Sequence, residues 1–307
     1  MALSSKSKRK KKKGLSSSGI SSLYVRGFKS LFEGSSIEVR PLTILAGANS
    51  SGKSSIMQPL LMMKQTLEAT YDPGALLIDG PHVRFTSVEQ FLSKRDRKPV
   101  DEFEIGLDIK GEKGIHSVSE IFRKDAKKGI EIVEARYKSE DLSVSLRPEM
   151  TREDIISAAP YCRALLKSFK RDDIERGFEL RVKPMRCFLE AGLSIVEKYK
   201  TDSTFFAPSD STFFAPFIFN SELFESHIRR LIHVPALRGN PERTYKTTAI
   251  GTKFSGTFEN YVASVINHWQ VSKDPRLREL GRLLEMLGLT WKVHTKQVDD
   301  TRVELRV

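Results

Sequence analysis

Short apolar runs rich in β-branched residues fill the first half of the chain, and helical spacing takes over in parts of the second. Order begins near Ile20. Leu23-Tyr24-Val25 reads as a strand, Gly27-Phe28-Lys29-Ser30 as a turn, and Ser36-Ile37-Glu38-Val39 alternates as a second strand. Leu42-Thr43-Ile44-Leu45 is a short apolar run with the look of a buried strand. Ile56, Leu60, Leu61, Met63 and Leu67 then recur at helical spacing through about Ala69. Pro59 falls inside the second turn of that helix, where a missing N–H should bend the axis. Four β-like stretches follow at Phe103–Leu107, His116–Phe122, Ile130–Tyr137 and Leu142–Leu146. Charged turns such as Lys110-Gly111-Glu112-Lys113-Gly114 separate them, which predicts an antiparallel meander with one wet face.

From Thr151 the pattern turns helical, first through Ile155, Ile156, Ala159, Leu165, Leu166 and Phe169, then through Phe188, Leu189, Leu193 and Val196. These read as core positions rather than a cofactor pocket. A tandem duplication comes next, Asp202–Ser209 repeated as Asp210–Phe217 with seven of eight positions identical. Two copies are too few for a solenoid, so the segment reads as a surface loop that tolerates insertion. Leu231-Ile232-His233-Val234-Pro235 predicts a return to a buried strand, running into an arginine-rich polar loop that ends at Tyr245. A helix starts near Thr257. Asp274-Pro275 caps and opens another, lined by Leu277, Leu280, Leu283, Leu284 and Leu287. Strand-like sequence closes the chain at Trp291–His294 and Thr301–Val307.

The chemistry is concentrated between the Leu42 run and the helix after it. Gly47-Ala48-Asn49-Ser50-Ser51-Gly52-Lys53-Ser54 is a complete G-x-x-x-x-G-K-S phosphate-binding loop. Two glycines let the backbone turn tightly and approach phosphate oxygens. Successive N–H groups form an anion nest at the positive end of the following helix. Lys53 is placed to reach the β- and γ-phosphates of a nucleotide, and Ser54 to take one position on Mg²⁺. Strand, glycine loop and helix occur in the required order. Leu76-Leu77-Ile78-Asp79 resembles a Walker B strand superficially, but Gly80-Pro81 follows in place of a catalytic Glu, so Asp79 reads as a turn residue.

Charge changes the picture at one end. The net charge is +12 over 307 residues, yet seven of the 51 basic residues sit in the first 13, and all 39 acidic residues lie beyond them. This arm, followed by Ser16-Ser17-Ser18, should not pack. It reads either as an electrostatic contact for nucleic acid, salt-sensitive and blind to sequence, or as a solubilising tail. No apolar stretch is long enough to span a bilayer, and the basic start lacks the apolar core of a secretory signal. Cys162 and Cys187 lack metal-ligand spacing and suit a reducing cytoplasm. Six scattered histidines give no zinc motif.

Tyr24-Val25-Arg26-Gly27-Phe28-Lys29-Ser30, the Leu42–Ala46 run, the loop Gly47–Ser55 and the segment Leu237–Tyr245 together resemble one family. The chain looks like an ABC-type ATPase head of the SMC, RecF and OLD-like group, AAA-family ATPases of the RecF type. The arginine-containing segment is closer to bacterial ATPases of which some act in phage defence. The resemblance implies an α/β P-loop NTPase lobe carrying an antiparallel β-meander and a helical insertion. The expected division is a basic tail at 1–18, the P-loop lobe at 19–150, the helical insertion at 151–230, and a return to the ATPase lobe at 231–307. It also implies ATP with Mg²⁺ as ligands and a dimer that sandwiches two ATP molecules. By position Lys53 and Ser54 carry over as phosphate and Mg²⁺ ligands, Gly47, Asn49, Ser51 and Gly52 as the cradle, and Ser55 beside the α-phosphate. Ser50 stands where relatives commonly have Gly, and Ala48 where many have Pro. Gln90 is the nearest candidate for the glutamine that contacts Mg²⁺ in such heads, against the plainer reading of an exposed surface glutamine.

The departures are as informative. The chain carries no L-S-G-G-like signature, no Walker B run ending in Asp-Glu and no switch His; it reads as a first lobe ending before its second. No acidic pair of a Toprim nuclease is present either. The expected function is ATP binding with ATP-dependent dimerisation, acting on nucleic acid in DNA repair or phage defence. The partner is then a second copy, or a polypeptide that supplies the second lobe. The alternative is a non-catalytic nucleotide-binding fragment or regulatory remnant. A nucleotide kinase is disfavoured, because a long meander follows the P-loop helix where a kinase has short lid elements.

Overall fold

The computed structural model of the protein describes residues 19–49, 51–95, 98–112, 114–125, 129–160, 178–195, 214–216, 221–235 and 242–307. Its largest element is a fully antiparallel six-stranded sheet. β1 (Gly19–Arg26) pairs with β2 (Ser35–Glu38) on one side. A short hairpin, β3 (Lys94–Arg95) and β4 (Lys98–Pro99), precedes the long strands. These are β5 (Glu102–Gly111), β6 (Gly114–Asp125), β7 (Gly129–Lys138) and β8 (Ser143–Leu146), and the sheet order is β2-β1-β5-β6-β7-β8. The predicted hairpin and meander are both present.

Cross-strand register puts the apolar residues on one face: Leu23 opposite Leu107, Val25 opposite Ile105, Phe103 opposite Phe122 and Val118 opposite Tyr137. All of these are buried. Pairs of this kind on one face are what stabilise a sheet. The opposite face is wet and charged. There Glu104 accepts from Arg26 at 3.1 Å and lies 3.4 Å from Arg136.

Glu120 breaks the rule, because it faces the apolar side between Ile105 and Ala135 and is fully buried. Tyr137 Oη lies 2.8 Å from Glu120 Oε1 and 2.7 Å from the Leu189 carbonyl. A chain in which a protonated Glu120 donates to the phenol, and the phenol to the carbonyl, satisfies both contacts. Burial pushes the Glu120 carboxyl well up, the Tyr137 bond opposes this, and the charge of Glu190 adds to it.

The helix after the phosphate loop, α1 (Gln58–Glu68), is buried on several sides through Leu60, Met62, Met63 and Leu67. The expected bend at Pro59 is absent. Residues 53–57 form turns, regular helix starts at Gln58, and Pro59 sits in the first helical turn, where no intrahelical N–H is required. Gln65 holds the following loop to α1. Its amide nitrogen donates to Leu77 O at 2.7 Å, and its oxygen accepts from the N–H groups of His82 and Val83. Within that loop Gly80 N donates to Val83 O, and Asp79 pairs with Arg84 as an isolated antiparallel β-bridge at the base of this turn.

The described residues of the segment 151–230 include strands as well as the helices expected. α2 (Arg152–Ala158) forms, with a capping box between Thr151 and Asp154, and so does α3 (Glu222–Arg229). Between them lies a three-stranded sheet of β9 (Phe178–Met185), β10 (Phe188–Ile195) and β11 (Phe214–Pro216), in the order β11-β10-β9. The group Phe188, Leu189 and Leu193 is therefore strand. Every residue from Cys187 to Leu193 is buried, and a strand covered on both faces shows no alternation to distinguish it from helix. Leu165, Leu166, Phe169 and Val196 lie outside the described residues, as do Cys162, the basic arm and most of the tandem duplication.

The C-terminal region packs α4 (Val262–Val271) and α5 (Arg276–Met286) with a small sheet. The sheet is β12 (Tyr245–Lys246), β13 (His294–Asp299) and β14 (Arg302–Arg306), in the order β12-β14-β13. Asp274 caps the start of α5 by accepting from Arg276 N at 2.9 Å, as Asp274-Pro275 suggests.

Two predicted buried strands do not form. Leu42–Leu45 forms no strand and has no ladder partner among the described residues, and Leu42 and Ile44 are 77% and 78% exposed. Leu231–Pro235 behaves alike, with Ile232 and Val234 exposed. Both sequences have strand propensity, but a strand also needs a hydrogen-bonded neighbour and a covering layer. The six-stranded sheet ends at β2 and supplies neither.

Candidate phosphate-binding site

The loop is built on the turn that precedes it in sequence. Phe28 is fully buried and packs with Phe85, Phe91 and Phe103, its ring centroid 5.3 Å from that of Phe91. Gly27 N donates to Leu31 O, Lys29 N to Phe91 O at 2.6 Å and Ser93 N to Gly27 O. Lys29 Nζ lies 4.8 Å above the Phe85 ring. The Gly-Phe-Lys-Ser motif is thus an anchored corner, and it faces the phosphate loop through Ser30 and Leu31.

Gly52 is where the two meet. Its φ of +94° is unfavourable for an L side chain, and a Cβ there would come within 2.9 Å of both Ser30 Oγ and Leu31 Cδ2. At the other end of the loop, a Cβ on Gly47 would come within 2.9 Å of Ser51 Oγ. Sequence reasoning names both glycines but misses Ser30 and Leu31; their signal is only that they stand in the corner beside the buried Phe28.

The N–H groups of Gly52, Lys53, Ser54 and Ser55 have no acceptor among the described residues, whereas Ile56 N donates to Gly52 O at 3.0 Å. Four consecutive donors at the mouth of a helix are what an anion nest requires. Lys53 Nζ donates to Gly47 O at 2.7 Å and Ala48 O at 2.6 Å, so its ammonium lies over the loop. Ser54 is exposed with its hydroxyl open to a ligand, while Ala48, Asn49 and Ser51 form the exposed rim. Ser50 lies outside the described residues. These features fit a phosphate chain with its cation: N–H donors, an ammonium over the loop, and a hydroxyl at the next position. Among the described residues no group of three or more His, Cys, Asp or Glu side chains could hold a metal ion; beside the loop, Ser54 and the phosphate oxygens would hold a nucleotide's cation.

Gln90 is exposed in a short 3₁₀ turn. Its amide nitrogen donates to Thr86 Oγ1 at 2.6 Å and its oxygen accepts from Thr86 N at 3.0 Å. The side chain is engaged within its own turn. The turn nevertheless adjoins the Gly27–Leu31 corner through Phe91 O, on whose far side Gly52 lies.

The far end of α1 carries a polar network that sequence reasoning did not foresee. Lys64 is fully buried, paired with Glu68 and donating to Arg229 O at 3.2 Å and Phe254 O at 3.3 Å. Glu68 Oε2 accepts from Gly256 N at 3.0 Å and meets His82 Nε2 at 3.1 Å. His82 Nδ1 faces His233 Nδ1 at 3.0 Å, a contact that needs one proton between two nitrogens. Burial pushes the Glu68 carboxyl up, but hydrogen bonds from His82, Lys64 and Gly256 outweigh it and hold it below its ordinary value. The signal was present as a Lys-to-Glu pair four residues apart inside an otherwise apolar helix.

No described helix is long and apolar enough to cross a membrane. No curated protein matches the chain. The family model for the AAA ATPase domain matches residues 19–181, the span that contains the hairpin, the corner, the phosphate loop and the meander. That is more than half of the 307 residues, and the chain accordingly belongs to the AAA ATPase domain family, as a P-loop NTPase of mixed α/β structure.

Proposed function

We propose that the chain binds ATP with Mg²⁺ on Gly47–Ser55, in an ABC-type lobe of the SMC, RecF and OLD-like kind. On this reading it works in the cytoplasm on nucleic acid, in DNA repair or phage defence, through ATP-dependent pairing. The observation that carries the nucleotide part is the run of four N–H donors from Gly52 to Ser55, without acceptors among the described residues, beside the Lys53 ammonium. Lys53 would exchange its two carbonyls for phosphate oxygens, and Ser54 would hold the cation. The bound cation would neutralise developing charge on the phosphates. Gln90 would join the site by releasing Thr86.

Pairing is supported by the uncovered apolar residues on both sides of the loop, Leu42 and Ile44 before it and Ile232 and Val234 far after it. Surfaces of this kind favour burial by a partner, either a second copy or a polypeptide supplying the second lobe with its Asp and Glu. Nucleotide binding without turnover is the second reading, favoured by a sequence that carries no Walker B run ending in Asp-Glu.

Titration calorimetry of the purified chain with ATP and Mg²⁺ tests the proposal. Binding should be weak and lost by a factor of about 10–100 in Lys53→Ala, the worth of a charge-assisted hydrogen bond, with hydrolysis negligible in both. Equal binding by the variant would sink the site assignment. Robust turnover by the chain alone, abolished by Lys53→Ala, would overturn the need for a partner.

A further inference from the structure

A second region has the chemistry of a ligand site and takes no part in the phosphate loop. A cleft of about 710 Å³ lies against α5 and the start of β13, lined by Arg278, Arg282, Glu285, Trp291, Lys292 and His294 among others. Its rim and floor are firmly held. Gln270 pairs with the backbone of Thr295 like an added ladder rung, donating at 2.9 Å and accepting at 2.8 Å. Gly281 is the buried position of α5, and any side chain there would collide with the Trp291 carbonyl. The backbone of Trp291 is therefore pressed onto the helix while its indole stands 70% exposed.

The lining is cationic, and its cations are unspent. Arg278 and Arg282 form no ion pair among the described residues, and Lys292 Nζ lies 5.9 Å from the Trp291 ring. Glu285 is the carboxylate set against these three. His294 adds a buried Nδ1 with no hydrogen-bond partner among the described residues, a polar atom the fold leaves unsatisfied. Arg278, Arg282 and Glu285 share one face of α5 at helical spacing, whereas the exposed Leu283 and Leu287 lie round the helix from them and the exposed Met286 borders Arg282. The cleft face thus selects for negative charge, and the apolar stripe beside it is a different surface.

We propose that this cleft binds a single strand of nucleic acid, with a base stacked on Trp291 and adjacent phosphates on Arg278 and Arg282. Aromatic platform and guanidinium groups together are the chemistry that recognises such a strand. Two arginines one helical turn apart, about 6 Å between Cβ atoms, serve successive phosphates rather than a single one. A free mononucleotide would use the indole and one arginine; a polymer uses both. The proposal deepens the nucleic-acid part of the proposed function, and its test is made without ATP or Mg²⁺, so failure here and failure of the phosphate loop are separable.

Fluorescence anisotropy of a labelled 20-nucleotide oligothymidylate with the full chain is the measurement. Trp291→Ala should weaken binding about tenfold, the lower range of one base–aromatic stack, and Trp291→Phe should restore most of it. Arg278→Ala with Arg282→Ala should lower the slope of log affinity against log salt by about 1.4, two phosphates at about 0.7 each. The basic arm contributes equally to all variants, so it cancels in the comparison. As an independent readout, Trp269→Phe leaves Trp291 as the sole indole of the two in the chain, and oligothymidylate should quench it. Wild-type affinity and slope in the variants, or an indole insensitive to the strand, would overturn the proposal. So would a mononucleotide, a duplex or heparin competing as well as the oligonucleotide at equal charge.

Discussion

The antiparallel meander and the Leu42–Leu45 segment treat apolar residues in opposite ways. In the meander every strand from β5 to β8 has a ladder neighbour, and Phe103, Ile105, Leu107 and Phe122 are essentially inaccessible. Four residues after β2, Leu42 and Ile44 stand more than three-quarters exposed. The phosphate loop sits between a finished surface, the Phe28 corner, and an unfinished one. The difference separates two requirements that a motif match merges. Holding the loop's shape needs the corner; completing the surroundings needs something that covers Leu42 and Ile44.

Substitutions on the two sides should therefore diverge. The largest effect is expected for Phe28→Ala, which removes the centre of an aromatic cluster and should cost about 3–5 kcal/mol in urea unfolding. A loss below about 1 kcal/mol would mean that the corner is not an anchor. Glu120→Gln is expected to act the other way. The folded pKa of Glu120 is raised, so its stabilising contribution is complete below the ordinary carboxylate range and is lost as pH climbs from there toward the folded value. The glutamine has no charge to bury, and melting at pH 7 should rise by about 2–4 °C, with a flatter dependence on pH. An unchanged or lowered melting temperature would count against a neutral Glu120.

A smaller effect is expected at His233. Burial, then the neighbouring His82 and Lys64, hold its pKa below the ordinary value, with Glu259 opposing. Its contribution is therefore present above about pH 6.5 and lost as pH falls through that range toward the folded value. Melting curves between pH 7.5 and 5 should show a decline that His233→Gln reduces; equal declines would place the titration elsewhere. Smallest of all, Leu42→Ser with Ile44→Ser should change stability by no more than about 0.5 kcal/mol. A cost of about 2 kcal/mol or more would show that these side chains are covered in the isolated chain, and the contrast between the two regions would fail.

Legibility in the sequence followed the same divide. The meander was readable because its strands have one wet face, so Ile105 and Leu107 alternate with polar or small neighbours. β10 was misread because Cys187 to Leu193 are covered on both faces, which erases the alternation. Leu42–Leu45 and Leu231–Pro235 were misread for the reverse reason: propensity speaks of the strand alone and never of the neighbour it needs. The loop residues Gly47 to Ser55 were legible as a set because phosphate chemistry fixes their spacing. The Ser30 and Leu31 contact beneath Gly52, and the meeting of Lys64, Glu68, His82 and His233, join residues up to 169 positions apart and leave no local trace.

Arg186, at the tip of the β9–β10 hairpin, donates from Nη1 to the carbonyls of Thr66 and Leu67 at 2.9 and 2.6 Å. These are carbonyls of the last turn of α1, where cations are favoured. With Gly52 wedged against Ser30 and Leu31 just ahead of the helix, α1 is clamped near its entrance and at its exit. In mechanical terms it is a strut between the phosphate loop and the β9–β11 sheet. Fraying of its last turn is thereby opposed, because two of the carbonyls that would otherwise turn to water are held by a guanidinium from the neighbouring sheet.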